Sequence, residues 1–193
     1  LHYPFRRQRQ MCIRDRKDAI ALFSKDNAPY DDDISDILVT VHREENIISK
    51  EKLSEIVNGL NALSEEYNLI FPLHPSTKKR LQEHNLKLNF KTSKPFGFLE
   101  MIRKIKGTGL VITDSGGLQK EAYYLEKPSL IIRDQTEWVE LLQDNVNILC
   151  PTNSNMIINQ AKIKLNEKYN FQRDIYGNDV SKKIIEIIKK NHH

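Results

Sequence analysis

The segment VITDSGGLQKEA, residues 111–122, carries the most informative polar pattern in the chain. Asp114, Ser115, Gly116 and Gly117 follow an apolar run and precede a helical pattern. Glycines at such a turn let the backbone approach a ligand closely, and the first turn of a helix offers N–H groups that have no partner within the helix. These donors, the Ser115 hydroxyl and the helix dipole together favour a phosphate or pyrophosphate. The pattern therefore predicts a phosphate site, with a plain turn capped by Ser115 as the alternative.

Glu121 lies further along the same predicted helix, one and a half turns in. A carboxylate near this end of the helix is able to accept hydrogen bonds from the two hydroxyls of a ribose. An isolated helical glutamate is otherwise ordinary solvated surface. Glu121 is therefore a candidate nucleoside-binding residue, and the surface interpretation stays open.

Two histidines, His42 and His74, each follow an apolar run that predicts a strand. Their wide separation, and the absence of neighbouring cysteines or a helical HxxxH pattern, argue against a zinc site. Histidine titrates near neutral pH, which suits acid–base chemistry or contact with an anion. A lone histidine at a strand end is otherwise a structural residue. Arg133 and Glu137 flank a further strand end, where they form either a clamp on a ligand or an ordinary ion pair.

The elements that must position these residues are short apolar runs that alternate with longer amphipathic segments. Six runs predict strands, at residues 37–42, 69–74, 86–90, 109–114, 128–133 and 145–150. Helical spacing predicts helices at residues 49–67, 77–84, 95–105, 117–126, 136–143, 154–169 and 179–191. This alternation predicts a doubly wound α/β fold, a parallel sheet with helices on both faces. Because ligands of such sheets bind at the carboxyl ends of the strands, the polar clusters are expected to share one edge.

Charge is distributed unevenly along the chain. The 193 residues carry 30 Lys and Arg against 26 Asp and Glu, a formal net charge of +4, but residues 1–16 contain five Arg and one Asp and account for all of it. The remaining residues sum to zero, which argues against a nucleic-acid or membrane surface on the folded part. We interpret residues 1–16 as a non-native or disordered tail, residues 17–36 as a linker segment and residues 37–193 as one domain with C-terminal helices.

Cysteine usage and hydropathy exclude further classes of protein. The two cysteines, Cys12 and Cys150, are too few for a disulfide framework or a metal cluster, which fits a reducing cytosol. No stretch approaches 18 uninterrupted apolar residues, and the amino terminus lacks the apolar centre of a signal peptide. We therefore expect a cytoplasmic protein without a membrane span and without a metal.

Taken in order, the segments TVHREENI, PLHP, PFGFLEMI, TDSGGLQKEA and KPSLIIRDQTEW resemble the carboxyl-terminal half of the non-hydrolysing UDP-N-acetylglucosamine 2-epimerases. The pair DSGGLQKEA and KPxxxxRDxTEW is the most specific part, and the resemblance runs from about residue 17 to the C-terminus. It implies the C-terminal Rossmann-like domain of a two-domain fold of the glycosyltransferase-B type. It also implies an enzyme that interconverts UDP-GlcNAc and UDP-ManNAc without a cofactor, as a homodimer when full-length.

The resemblance further implies roles for individual residues. His42 would be the catalytic residue that faces the reacting sugar, while Arg43 and His74 match positions that contact a second, activating UDP-GlcNAc in some members. The implied substrate-binding residues are Phe98 for the uracil, Glu121 for the ribose, Ser115, Gly116 and Gly117 for the diphosphate, and Arg133 and Glu137.

Two departures from the family pattern stand out. Trp138 occupies the position of an arginine that contacts substrate in many members, and Pro75 follows His74 where Asn-Pro is commoner, which weakens the case for an activator site. In the family, the carboxylates thought to move the C2 proton lie in the amino-terminal half, and residues 1–36 contain no substitute. We therefore expect the chain by itself to be inactive.

Three alternatives remain open. A hydrolysing 2-epimerase is disfavoured, because RDQTEW stands where such enzymes usually carry a GxRQxGR-like segment. An epimerase of a diacetamido uronic-acid sugar shares the same carboxyl-terminal pattern. A non-catalytic nucleotide-binding module, or the donor half of a glycosyltransferase, would also use a phosphate site of this kind.

Overall fold

The computed structural model describes residue 20, residues 35–143 and 145–171, and residues 180–191. Its contacts divide the chain into two compact units, Tyr30–Phe171 and a second one comprising Leu1–Pro29 with Gln172–His193. The predicted tail, residues 1–16, and most of the predicted linker lie outside the described residues. The functional residues named above all belong to the first unit.

A five-stranded parallel sheet forms the centre of the first unit. Its strands are β1 (Ser35–Thr40), β2 (Leu69–Ile70), β3 (Thr108–Thr113), β4 (Ser129–Ile131) and β5 (Asn147–Leu149). Their order is β2-β1-β3-β4-β5, and every neighbouring pair is parallel. The register pairs Thr40 with Thr113, so that β1 and β3 end side by side. The predicted α/β fold with a parallel sheet is confirmed.

Helices connect the strands and begin at caps that the sequence supplies. They are α1 (Glu44–Ile47), α2 (Lys50–Leu63), α3 (Pro75–Glu83), α4 (Phe98–Lys106), α5 (Gly116–Tyr124) and α6 (Ser154–Asn166), and the second unit contains α7 (Val180–Asn191). Ser49, Ser115 and Asn153 each accept a hydrogen bond from a backbone N–H in the first turn of the helix that follows. These bonds satisfy donors that the helix cannot pair internally.

Helices cover both faces of the sheet because alternate strand residues point in opposite directions. One buried cluster joins one set of strand residues to α2, α3 and α6, and includes Ile37, Val39, Leu110, Ile112, Leu130, Leu53, Leu60, Leu81 and Ile157. The intervening residues Leu38, Val111 and Ile131 are equally inaccessible to solvent and belong to the other face. Helices α4 and α5 contact the strands there. Burial on both faces explains why the strands are apolar without strict alternation.

Two predicted elements were wrong. Residues 86–90 form no strand, although Leu86, Leu88 and Phe90 pack against the core as their alternation indicated. The Asn61 side chain forms hydrogen bonds with the backbone of this segment instead. Its Nδ2 donates to Lys87 O at 3.0 Å, and its Oδ1 accepts from Asn89 N at 2.8 Å. An amide side chain thus takes the place of a neighbouring strand.

The predicted helix at residues 136–143 shortens to a 3-10 turn at Val139–Leu142. Thr136 Oγ1 accepts a hydrogen bond from Trp138 N at 3.2 Å, and a local side-chain bond of this kind competes with helix formation. Among the helices that the structure describes, none combines the length and apolar composition that spanning a bilayer demands.

Candidate functional site

The candidate site lies where β1 and β3 end. Sequence order reverses direction across this pair, because β2 is on one side of β1 while β3, β4 and β5 follow on the other. In open α/β sheets such a switch point opens a crevice at the carboxyl ends of the strands, and ligands bind there. His42 and Arg43 follow β1, and Asp114 and Ser115 follow β3. The fold therefore brings two of the predicted polar clusters to one place.

Asp114 is completely buried and ties the loop after β1 to the end of β3. Its Oδ2 accepts hydrogen bonds from Arg43 N at 2.9 Å and from Asn46 Nδ2 at 3.1 Å, and the N–H of His42 lies 3.0–3.1 Å from both carboxylate oxygens. Asn46 Nδ2 also donates to Ile132 O at 2.9 Å, which connects the same loop to the end of β4. Asp114 belongs to the motif that predicted the phosphate site, but residue type and spacing assigned it no role of its own. The signal was an acidic residue directly after an apolar strand, where a buried carboxylate requires N–H donors.

Helix α5 begins at the same point. Thr40 Oγ1 and Thr113 Oγ1 lie 2.6 Å apart and join the two strand ends, and Thr113 Oγ1 accepts from Ser115 N at 2.9 Å. Ser115 Oγ caps the helix by accepting from Leu118 N at 3.5 Å. The N–H groups of Gly116 and Gly117, the first two residues of the helix, have no acceptor within it. These are the donors that the sequence pattern assigned to a phosphate.

Three side chains converge on Gly116. A Cβ atom built on this glycine would lie 3.3 Å from Trp138 Nε1 and 3.5 Å from both Arg43 Nη2 and Glu137 Oε2. The backbone of Gly116 does not adopt a positive φ, so space rather than conformation explains the glycine. The Lys120 ammonium in turn lies over the Trp138 ring, 3.0 Å from the ring centroid.

Arg133 and Glu137 form the ion pair that was one of the two predicted arrangements. Arg133 Nη1 lies 2.7 Å from Glu137 Oε2, Arg133 Nε lies 2.9 Å from Glu45 Oε1, and Arg43 Nη2 lies 3.3 Å from Glu137 Oε1. Burial by itself would raise the pKa of Glu137, but the Arg133 hydrogen bond and the charges of Arg133 and Arg43 outweigh it and hold this pKa below its usual value. Burial also opposes the charge on Arg133, yet Glu137 and then Glu45 raise its pKa. Arg133 and Glu137 thus favour their charged forms beside the start of α5.

A cavity of about 160 Å³ opens beside the α5 N-terminus. Its walls are Thr40, Val41, His42, Pro72, His74, Pro95, Phe96, Met101, Ser115 and Leu118. Thr77 Oγ1 donates to Val41 O at 2.5 Å and fixes α3 to the loop after β1, which brings the rings of His42 and His74 to 5.8 Å between centroids. The two histidines therefore share one cavity wall despite their separation in sequence.

The remaining predicted residues, Phe98 and Glu121, are not among those that line the cavity. Phe98 is the first residue of α4 and is 40% exposed, while Phe96 and Met101 are the residues of this region that line the cavity. Glu121 lies in the second turn of α5 and is 6% exposed. Among the residues that the structure describes, no three His, Cys, Asp or Glu side chains are arranged to hold a metal ion.

Comparison with known proteins assigns a family to this arrangement. Residues 16–189 match the family model described as UDP-N-acetylglucosamine 2-epimerase. The UDP-N-acetylglucosamine 2-epimerase of Methanocaldococcus jannaschii is 39% identical over 166 residues, which are 82% of this chain and 45% of that protein. The UDP-2,3-diacetamido-2,3-dideoxy-D-glucuronate 2-epimerase of Pseudomonas aeruginosa is 39% identical over 156 residues, 80% of this chain and 44% of that protein.

A solved structure supports the same assignment. The M. jannaschii UDP-GlcNAc 2-epimerase in complex with UDP-GlcNAc and UDP superposes with a TM-score of 0.73 at 34% identity, over 94% of this chain and 52% of that one. The chain spans about half the length of the curated relatives that it matches. Because the family model matches residues 16–189, nearly the whole chain, the chain belongs to the UDP-N-acetylglucosamine 2-epimerase family.

Proposed function

We propose that this chain binds the UDP group of UDP-GlcNAc and UDP-ManNAc and forms the nucleotide-binding half of an enzyme that interconverts them. The observation that carries the proposal is the start of α5, whose Gly116 and Gly117 N–H groups open beside a cavity at the switch point of the sheet. The M. jannaschii relative, solved with UDP-GlcNAc and UDP, lends support.

The charge arrangement suits a reaction in which UDP leaves and returns. Family membership suggests a mechanism in which the sugar C2 proton is abstracted and UDP is eliminated to leave a 2-acetamidoglucal. UDP then returns to C1, and a proton returns to the opposite face of C2. Negative charge grows on the diphosphate as the C1–O bond breaks, and preorganised N–H donors stabilise such charge without reorganising. The α5 N-terminus, with the N–H groups of Gly116 and Gly117, provides such donors at this point.

We assign the residue roles accordingly. Ser115, Gly116 and Gly117 bind the diphosphate, Glu121 the ribose and Phe98 the uracil, with Arg133 and Glu137 completing the substrate-binding set. His42 acts on the reacting sugar from the cavity wall, and Arg43 and His74 are the candidate contacts of a second UDP-GlcNAc.

The cavity is small for a complete nucleotide sugar. Ligand pockets usually enclose about 300–1,000 Å³, whereas this one has about 160 Å³. We propose that further walls, and the acid and base that move the C2 proton, come from the part of the relatives that this chain does not span.

Accordingly, the 193-residue chain should show no epimerase turnover, and UDP-ManNAc formation by the chain alone would contradict this assignment. We propose a homodimer for the full-length enzyme.

Calorimetric titration of the chain with UDP, UMP and ADP tests the nucleotide assignment. UDP should bind best, because UMP lacks the second phosphate that the α5 N-terminus would contact and ADP presents the wrong base. Equal affinity for all three nucleotides, or no binding of any, would remove the proposal.

A second candidate substrate class is a UDP-linked diacetamido uronic acid. The P. aeruginosa relative acts on such a sugar by its name, and its identity to this chain equals that of the M. jannaschii relative. A chimera that joins the amino-terminal half of either relative to residues 35–193 distinguishes the two. Turnover of UDP-GlcNAc by the chimera made with the M. jannaschii half supports the first class, and turnover of the diacetamido uronic acid alone by both chimeras supports the second.

A further inference from the structure

The two histidines that line the cavity have different partners for the same ring nitrogen. His42 Nδ1 lies 3.5 Å from Asp114 Oδ1, a carboxylate oxygen of a fully buried side chain. His74 Nδ1 accepts a hydrogen bond from Ser76 N at 3.2 Å and lies 2.6 Å from Ser76 Oγ. A carboxylate is only an acceptor, whereas a backbone N–H is only a donor. The 3.5 Å approach is longer than a normal hydrogen bond, but the negative charge of Asp114 favours a proton on His42 Nδ1, whereas Ser76 N requires a lone pair on His74 Nδ1.

We infer that Asp114 and the first turn of α3 hold His42 and His74 in opposite tautomers, with Asp114 as the positioning residue for His42. The proton of neutral His42 is on Nδ1, where it faces Asp114, and Nε2 carries the lone pair. The proton of neutral His74 is on Nε2, because its Nδ1 lone pair caps α3. The partner of one ring nitrogen commonly sets the tautomer of a functional histidine in this way.

The hydrogen bonds of Asp114 leave room for this contact. Oδ2 already accepts from Arg43 N and Asn46 Nδ2, while Oδ1 accepts only the shared N–H of His42 among the described donors. A carboxylate oxygen has two lone pairs, so Oδ1 retains one for the His42 ring. The same carboxylate fixes the backbone of His42 and Arg43. Ring and backbone are thus oriented by one buried group.

Opposite tautomers give the cavity a hydrogen-bond acceptor on one ring and a hydrogen-bond donor on the other, a short distance apart. The ring centroids are 5.8 Å apart, and both residues line the same cavity. His42 Nε2 presents a lone pair, which accepts a hydrogen bond or a proton. His74 Nε2 presents an N–H, which donates to an anionic oxygen. The use of these two atoms on a UDP-sugar rests on the proposed function, but the tautomers themselves do not.

Nitrogen NMR of the chain labelled with ¹⁵N-histidine tests the inference without any ligand. Spectra are recorded at about pH 9, above the usual titration range of histidine, and the variants His42→Gln and His74→Gln assign the two rings among the six histidines of the chain. We expect the Nδ1–H form for His42 and the Nε2–H form for His74. A free imidazole side chain favours Nε2–H in water, so an Nε2–H signal for His42 in the wild type overturns the inference.

Two variants identify the group responsible. Asp114→Asn presents an N–H or an uncharged oxygen to the ring, and His42 should shift largely to Nε2–H while His74 is unchanged. Asn46→Ala removes one donor to the carboxylate but keeps the carboxylate, and His42 should keep Nδ1–H. If folded Asp114→Asn retained the Nδ1–H form, Asp114 would not be the positioning residue. If this variant fails to fold, the wild-type spectra still decide, because an Nε2–H signal for His42 overturns the inference. Loss of UDP binding in the calorimetric titration would leave these signals unchanged, so the two proposals fail separately.

Discussion

Replacement of Gly116 by alanine separates ligand binding from stability. The new Cβ would lie 3.3 Å from Trp138 Nε1 and 3.5 Å from Arg43 Nη2 and Glu137 Oε2. The two longer distances are ordinary van der Waals contacts, so only the indole ring has to shift, by a few tenths of an ångström. The free energy of unfolding should therefore stay within about 1 kcal/mol of the wild type, since alanine also restricts the unfolded chain.

The same methyl group should weaken UDP binding strongly. A phosphate oxygen bound by the first N–H groups of α5 lies about 2.9 Å from a donor nitrogen, and a methyl group at this point pushes it away. Loss of one charge-assisted hydrogen bond costs about 1.5–3 kcal/mol, which corresponds to a roughly 10- to 150-fold higher Kd. Calorimetry measures the Kd of UDP, and chemical denaturation measures the free energy of unfolding.

Gly59→Ala is the matched control, because it adds the same methyl group far along α2 from the site. Its Cβ would lie 3.2 Å from Cβ and Cγ2 of Ile157 and 3.4 Å from Ser154 O in α6, groups that cannot swing away. Overpacking costs about 1–3 kcal/mol, offset by about 1 kcal/mol of helix propensity, so stability should fall by up to about 2 kcal/mol with an unchanged Kd for UDP. A folded Gly116→Ala protein that bound UDP like the wild type would refute the phosphate assignment, as would an equal loss of affinity in both variants.

Three further predictions concern single side chains. Glu121→Ala should weaken UDP binding by about 1–3 kcal/mol, the cost of a lost charge-assisted hydrogen bond. Calorimetry measures this change, and an unchanged affinity would remove the ribose assignment. In a chimera with the amino-terminal half of a relative, His42→Asn should lower kcat about 100-fold with a smaller change in UDP affinity, and wild-type turnover would make His42 a structural residue. Glu137→Gln should lower stability at pH 7 by no more than about 1 kcal/mol, because the side chain is 43% exposed. Since the pKa of Glu137 is lower in the folded than in the unfolded state, its contribution is present above the usual glutamate pKa and is lost as pH falls through the folded pKa, so denaturation curves of variant and wild type should converge in acid.

The sequence by itself determined most of the local elements and the position of the candidate site. The runs around Ile37, Leu110 and Leu130 are β-branched or apolar over the length of a strand and form β1, β3 and β4. The pattern Asp-Ser-Gly-Gly before an apolar helix predicted where α5 begins, and Ser115 caps it. These features depend on neighbours within a few residues, so they can be predicted from spacing and residue type.

Only the tertiary structure decided which of these features meet. The alternation at residues 86–90 correctly indicated which side chains pack against the core, but the backbone there bonds to Asn61, 25 or more residues earlier in the chain, and not to a strand. The contact between Asp114 and His42, 72 residues apart, exists because β1 and β3 are neighbours in the sheet, and strand order leaves no trace in local periodicity. The spacing of apolar residues along the chain predicts which side chains are buried. It does not predict the partner of a buried polar group, because that partner is brought close only when distant strands pack side by side.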